Sequence, residues 1–383
     1  MDTAEDILEA VTGRRMSLLE KKDKEISMER EAILTIRNLE VSFQTMHGRF
    51  RAIRGLDFDL YRGDTVAIVG ESGSGKSVTA KCMMGIRSTN ERIENGEIMF
   101  TYIDGSGERR TVNIAKISEN EVRRTICGRH IAMVFQDPMT SLNPTVTIGR
   151  QIMEGMIDHN RISKQAAKEK TLHLLEEVGI DEPLKRFKQY PHQLSGGMRQ
   201  RVVIAIALAC EPDVLICDEP TTALDVTIQW KILELIKRLQ KERDLTVIYI
   251  THDLGVVAKV AEHVCVMYAG RIVEKGSIED IYYDPRHPYT WGLLSSMPDL
   301  STDSERLFAI PGNPVNLMEQ VHGDPFAPRN PFAMKIDFEQ EPPLFHVKGN
   351  HYCASWLCHP DAPKQELPPS LQTKIDRMLK EVG

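Results

Sequence analysis

Along the first 280 or so residues, apolar positions come in short blocks separated by polar turns, and their spacing alternates between two registers. Strand-like runs begin at Ile33 and continue at 39–43 and 56–60, around a turn near His47 and Gly48. The run 65–69 is short, β-branched and apolar, and it leads into a glycine-rich stretch. Residues 78–84 then carry helical spacing. The runs 131–135, 214–217 and 246–251 are unbroken apolar segments of the kind buried on both faces of a parallel sheet. Between them, 162–178, stopped by Gly179, and 197–209 predict helices. Strands alternating with helices imply an α/β core. From about Tyr282 proline becomes frequent and the periodicity weakens, which marks a C-terminal extension. Residues 1–31 are rich in charge, and 4–19 could form an amphipathic helix or fray.

Composition narrows the class without changing this picture. The chain has 383 residues, 41% hydrophobic and 27% charged, enough for two or three folding units and for a core that needs no disulfides. Its seven cysteines sit mostly inside apolar runs and read as reduced core thiols of a cytosolic protein. A net charge of -7 argues against a nucleic-acid binder, which usually presents a basic face. The first 31 residues lack the apolar segment of a signal peptide. The longest apolar run, 202–210, is far short of the ~18 residues needed to cross a bilayer. Any work at a membrane would leave the spanning to other subunits.

The glycine-rich stretch carries the chemistry. Gly70, Glu71, Ser72, Gly73, Ser74, Gly75, Lys76 and Ser77 match G-x-x-x-x-G-K-[ST], between a predicted strand and a predicted helix, the context this pattern requires. The glycines let the backbone turn tightly and aim N–H groups inward as an anion nest, and the helix start adds partial positive charge. Lys76 is expected to reach the β- and γ-phosphates of ATP, and the Ser77 hydroxyl to ligate Mg2+. A second element is the apolar strand 214–217 followed by Asp218 and Glu219. Acids at the C-terminal end of a strand lie at the ligand edge of an open α/β sheet. Asp218 would hold Mg2+ and Glu219 would orient and polarise the attacking water. Such a strand end is common by itself; the phosphate loop gives it meaning.

Between these two lies Leu194-Ser195-Gly196-Gly197-Met198-Arg199-Gln200-Arg201, which resembles the signature sequence of ABC-type ATPases. Ser195, Gly196 and Gly197 open a helix, so this is a second anion-type helix start. In that family the signature of one subunit closes over the ATP held by the phosphate loop of another. The resemblance covers about residues 33–280 and supplies further expectations in chain order. Gln136 matches the Q-loop glutamine that contacts Mg2+ and water. Ala223-Leu224-Asp225 matches the D-loop, with Asp225 at the dimer interface. His252 matches the switch histidine that contacts the γ-phosphate. Phe43 lies where the family places an adenine-stacking aromatic; the alternative is a core Phe. The implied fold is an α/β ABC-type P-loop ATPase domain at 32–281. It comprises a RecA-like core, a helical subdomain at about 140–200 and an antiparallel β subdomain. A charged N-terminal extension at 1–31 precedes it and a C-terminal extension at 282–383 follows.

Three stretches narrow the resemblance to ATPases of oligopeptide, dipeptide and nickel importers: Phe135-Gln136-Asp137-Pro138-Met139-Thr140-Ser141-Leu142-Asn143-Pro144, His287-Pro288-Tyr289-Thr290-Trp291-Gly292-Leu293-Leu294, and Phe308-Ala309-Ile310-Pro311-Gly312-Asn313-Pro314. The resemblance is closer to the D-type oligopeptide subunit than to its F-type partner. It implies a heterodimer with a second homologous ATPase, two transmembrane permeases, an extracellular peptide-binding protein, and a peripheral position on the cytoplasmic face of the membrane. Many D-type tails carry four cysteines that hold an iron–sulfur cluster. Here the first three of those positions read Asp324, Asn330 and Asp337, and only Cys353 matches, so no cluster is expected. His351, Cys353, Cys358 and His359 offer zinc-type ligands at crowded spacing; the alternative is a tail docked by packing, with Trp356 and Leu357 buried. Nickel or another small solute is the alternative cargo. A soluble ABC ATPase of translation or DNA repair is the alternative class, but such proteins carry tandem cassettes, zinc modules or coiled coils that this chain lacks. A non-hydrolysing regulatory subunit would typically lack the acid at Glu219.

Overall fold

The computed structural model describes residues 31–46, 48–221, 225–297, 310–318 and 321–380. The helix expected at 4–19 and His47 of the expected turn lie outside the described residues. Strands β1 (Ala32–Thr45) and β2 (Gly48–Tyr61) form an antiparallel hairpin. The two separate runs expected at Ile33 and 39–43 are one strand, joined through a register shift between Ile36 and Leu39. Asn38 there takes a positive φ of 44°, and Gly96 opposite has no Cβ to strike the carbonyls of Arg37 and Asn38. A polar bulge of this kind breaks the apolar pattern without breaking the strand. With β4 (Glu91–Ile103) and β5 (Arg109–Asn113) the hairpin completes a four-stranded sheet in the order β2-β1-β4-β5.

The second sheet is built on β3 (Thr65–Val69), β6 (Ile131–Val134), β7 (Val214–Asp218), β8 (Thr246–Thr251) and β9 (His263–Tyr268), all mutually parallel. Antiparallel β10 (Arg271–Ser277), β11 (Phe345–Lys348) and β12 (His351–Cys353) extend one side, giving the order β11-β12-β10-β9-β3-β8-β7-β6. Alternate residues of the parallel strands divide between two cores. Val66, Ile68, Ile131, Met133, Val214, Ile216, Ile248 and Ile250 pack with Phe58 and Phe100 of the antiparallel sheet. Ala67, Val69, Ala132, Val134, Leu215, Cys217, Val247 and Tyr249 pack toward the helices Gly196–Leu208 and Val226–Arg243. Burial of each large side chain contributes roughly 1.5–3 kcal/mol, and a strand apolar on both faces gains this twice over.

The longest helix of the helical region that the apolar pattern does not announce is Ile148–Asp158. Ile148, Ile152 and Met156 recur every fourth residue and are buried, but Gly149 and Gly155 interrupt the spacing. Gly149 is where the Phe187 ring seats, leaving no room for a Cβ. The helix expected at 162–178 runs Lys164–Glu177, because the Ser163 side chain accepts from the Ala166 N–H at 3.2 Å and caps its start. The segment after residue 282 shares the central sheet and core. β12 pairs with β10, and Tyr282, Tyr289, Trp291 and Phe326 are buried with Leu371, Ile375 and Met378 of the helix Pro369–Lys380. No helix among the described residues is long and apolar enough to cross a membrane.

Parallel register brings four strand ends to one edge. Val69 lies beside Thr251, Cys217 beside Tyr249, and Val134 beside Cys217. The residues that follow, Gly70, His252, Glu219 and Gln136, therefore emerge together.

Candidate functional site

The loop Gly70–Ser77 takes its shape from glycines that only glycine can replace without strain. Gly70, Gly73 and Gly75 have φ of 153°, 81° and 104°. A Cβ on Gly70 would run into the Met267 carbonyl oxygen, and one on Gly75 would lie 2.9 Å from Ile53 Cδ1 and 3.0 Å from the Ala52 carbonyl oxygen. Met267 belongs to β9, and the β9–β10 turn supports the loop from the other side: Gly270 N–H donates to the Ser74 carbonyl at 2.9 Å. Helix Lys76–Met83 starts from Gly75 with no side-chain cap on its first-turn amides. Lys76 is buried, its ammonium donating to the carbonyls of Gly70 at 2.7 Å and Glu71 at 2.9 Å. Burial holds it below the ordinary lysine pKa, against the opposing pull of Glu219, Asp218 and Glu71. Glu71 is half-buried, Ser72 and Gly73 are exposed, and Ser74 is buried.

Opposite the loop, Ser77 Oγ donates to Asp218 Oδ1 at 3.3 Å. Burial raises the Asp218 pKa; the bond from Ser77 opposes this and the neighbouring Glu219 charge adds to it. Glu219 sits at the strand end with φ of 46°, a left-handed conformation unusual for a glutamate, and its N–H donates to the Ile250 carbonyl at 2.8 Å. Its carboxylate is held from two sides, by Gln136 Nε2 at 2.8 Å and His252 Nδ1 at 2.9 Å. Ser77, Asp218, Lys76, Glu219, Gln136 and His252 therefore form one connected constellation. A glycine nest beside an uncapped helix start and a buried lysine fits a polyphosphate. Ser77, Asp218 and Gln136 offer the hard oxygen donors that suit Mg2+.

The remaining expected residues stand apart from this constellation. Ser195 caps the helix Gly196–Leu208, accepting from Met198 N–H at 3.3 Å. Gly197 lies against the helix Val226–Arg243, where a Cβ would meet Ile228 Cγ2 at 2.9 Å. Asp225, exposed, caps that second helix by accepting from Ile228 N–H at 3.0 Å. Ala223 and Leu224 lie outside the described residues. Among the described residues no hydrogen bond joins Ser195, Gly196, Gly197 or Asp225 to the loop. Half-buried Phe43 stacks on Phe50 across the β1–β2 hairpin, centroids 5.4 Å apart, and packs on the core below.

Two side chains at the loop come from the C-terminal segment, and sequence reasoning gave them no role. Tyr289 OH accepts from the Glu71 N–H at 2.7 Å, and buried Arg329 grips the Glu71 carboxylate at 2.6 and 3.0 Å. Both lie more than 200 positions from the loop, so no local spacing could link them to it. Asp324, Asn330 and Asp337, which stand where related tails carry cysteines, bind local backbone instead. They accept from the N–H groups of Phe326 at 2.9 Å, Phe332 at 2.9 Å and Met334 at 2.6 Å. Burial pushes the Asp324 carboxyl up to about 7. At the crowded set, His351 Nε2 pairs with buried Glu274 at 2.9 Å, Cys353 is a buried free thiol and Cys358 a half-buried one. His359 packs beside Phe345 and Trp356. No group of three or more His, Cys, Asp and Glu side chains among the described residues is arranged to hold a metal ion. Trp356 and Leu357, expected to be buried, are half-buried, because Trp356 turns its Nε1 to the Gln340 carbonyl at 2.9 Å at the surface.

A family model described as ABC transporter matches residues 53–222, and one described as oligopeptide/dipeptide transporter, C-terminal region, matches residues 273–336. The oligopeptide transport ATP-binding protein OppD of Bacillus subtilis (strain 168) is 55% identical over 348 residues, covering 90% of this chain and 94% of that protein. The dipeptide transport ATP-binding protein DppD of Lactococcus lactis subsp. cremoris (strain MG1363) is 51% identical over 338 residues, covering 88% and 94%. Among solved structures, the ATP-binding cassette MJ0796, a dimer in a post-hydrolysis state bound to ADP and Pi, has a TM-score of 0.55 at 28% identity, covering 64% of this chain and 98% of that one.

Proposed function

This chain belongs to the ABC transporter family, among the oligopeptide and dipeptide transport ATP-binding proteins, and from that premise we propose how its residues drive peptide import. The protein is an ATPase that works with membrane permeases. Its partners, in this reading, are a second homologous ATPase that forms a heterodimer with it, two permease subunits and an extracellular peptide-binding protein. It sits peripherally on the cytoplasmic face of the membrane. ATP binding closes the dimer and hydrolysis reopens it, rocking the permeases between their two orientations.

The observation that carries this reading is Glu219, held between Gln136 and His252 at the edge that also presents the phosphate loop. The loop amides and Lys76 cradle the phosphates and stabilise the charge that develops on the γ-phosphoryl group. Ser77, Gln136 and Asp218 would hold Mg2+, which would supply positive charge against the phosphates. Glu219 orients the attacking water and accepts its proton. His252 keeps the carboxylate aimed and reaches toward the γ-phosphate. Phe43 stacks on adenine. Ser195, Gly196, Gly197 and Asp225 face the partner and close over the partner's ATP. Polar turns at Asp324, Asn330 and Asp337 hold the extension without an iron–sulfur cluster.

Glu219→Gln keeps the size and hydrogen bonding of the side chain but cannot take a proton. ATP binding should persist, turnover should fall roughly a hundredfold or more, and the dimer should accumulate closed. Undiminished turnover in the assembled transporter would overturn the role given to Glu219.

A further inference from the structure

Glu71 is fastened at every polar group it has. Its N–H donates to Tyr289 OH at 2.7 Å, its carboxylate takes two bonds from Arg329 at 2.6 and 3.0 Å, and its carbonyl accepts from Lys76 Nζ at 2.9 Å. The first two partners belong to the C-terminal segment, and the third is the lysine of the phosphate loop. Glu71 also follows Gly70 and lies near Gly73, both in conformations that only glycine adopts freely, so the loop has little stiffness of its own. The two outside partners are themselves fixed. Arg329 is buried, donates from Nε to the Pro311 carbonyl at 2.9 Å and from Nη1 to Tyr268 OH at 3.3 Å. Its bond to Glu71 raises the guanidinium pKa further, so its charge is permanent. Fully buried Phe326 touches the rings of Tyr268 and Tyr289 at centroid distances of 5.3 and 5.4 Å and locks the pair.

We infer that Arg329 and Tyr289 are positioning residues for the nucleotide site: the C-terminal segment sets the phosphate loop, through Glu71, in the conformation that receives ATP. The inference rests on the reading of Gly70–Ser77 as the phosphate cradle. Charge-assisted, two-pronged bonds from a buried guanidinium are strong and geometrically exacting. Without them the loop samples other shapes, and apparent ATP affinity falls by the fraction of time it spends in the receptive one. Once ATP is bound the loop is held by the phosphates, so turnover at saturation changes little. A purely structural fastening would instead lower stability and leave the KM of the folded protein alone.

The test uses the assembled transporter and ATP. Arg329→Gln should raise KM for ATP roughly tenfold, the weight of one charge-assisted bond, while kcat stays within about twofold. Arg329→Lys should recover part of the loss, because lysine restores the charge but not the fork. Glu71→Gln with Arg329→Gln should cost no more than the larger single change, since both remove one interaction. Lys348→Gln removes ion pairs to Asp280 and Asp284 elsewhere in the same segment and should leave KM unchanged. Should Arg329→Gln fail to assemble, Tyr289→Phe decides: it deletes one oxygen, keeps the ring against Phe326, and should raise KM by roughly threefold to tenfold. Unchanged KM in Arg329→Gln or Tyr289→Phe, or additive effects in the double variant, overturns the inference. Failure of the wild-type complex to bind ATP would strike the reading of the loop instead.

Discussion

Two helices of this chain begin in glycine-rich turns, and they treat their first amides differently. Lys76–Met83 starts from Gly75 in a left-handed conformation, φ 104°, with no side-chain cap. Gly196–Leu208 starts from Ser195 in an extended conformation, φ -67°, whose hydroxyl already accepts from Met198 N–H at 3.3 Å. The first helix start leaves its donors to a ligand and surrounds them with Lys76, Asp218 and Glu219. The second supplies its own acceptor. A glycine-rich helix start is thus only half of a nucleotide site. What completes it is the set of side chains that the parallel sheet delivers to the same edge.

The sharpest way to break this comparison is to remove the charge that distinguishes the first site. Lys76→Ala should lower ATP turnover in the assembled transporter by roughly a hundredfold or more, the usual loss when one preorganised donor to developing charge is deleted. Turnover within tenfold of wild type would mean that the uncapped amides suffice. The buried ammonium binds two loop carbonyls, Gly70 and Glu71, so the variant should also loosen the loop.

How much of this was legible beforehand differs between the regions. The loop, Asp218 and Glu219 lie at the ends of short unbroken apolar strands, and strands buried on both faces announce themselves by composition. Their alignment at one edge follows from parallel pairing, and the resemblance to ABC-type ATPases, not spacing, is what singled out Gln136 and His252. The clasp on Glu219 by those two residues, and its left-handed backbone, are facts of geometry that no spacing encodes. The antiparallel sheet was only partly legible, because the bulge at Asn38 interrupts the alternation of β1. The helix Ile148–Asp158 was hidden by Gly149, which is small to admit Phe187. The tail was least legible. Its prolines and irregular spacing suggested an appendage, whereas β12 joins the central sheet and Arg329 reaches the phosphate loop. Contacts that far apart in sequence leave no periodic trace.

The loop's backbone offers a second, smaller lever. Gly70→Ala places a methyl group against the Met267 carbonyl oxygen at a φ that alanine avoids. Because the obstacle is backbone of β9, it cannot swing aside. The variant should lose about 3 kcal/mol of stability from strain and overpacking together. Chemical denaturation with and without ATP measures it, and added ATP should rescue less stability than in wild type. A loss below about 0.5 kcal/mol would show that the loop can shift, and that its shape is not set by β9.

The smallest expected effect falls on the second helix start. Ser195→Ala removes the cap from Gly196–Leu208 and should cost about 1 kcal/mol, a fall of roughly 2–4 °C in Tm. ATP binding by the chain without its partner should be unchanged, because among the described residues Ser195 makes no bond to its own phosphate loop and spends its hydroxyl on Met198 N–H. If this helix start closes over the partner's ATP, as proposed, turnover of the assembled transporter should fall by more than the stability loss explains, since the site then lacks the serine hydroxyl. The two assays separate the two helix starts. If Ser195→Ala weakens ATP binding by the lone chain as Lys76→Ala does, both starts serve one site and the contrast between them fails. If it weakens only the assembled transporter, the capped start is the half of a site that this chain offers outward.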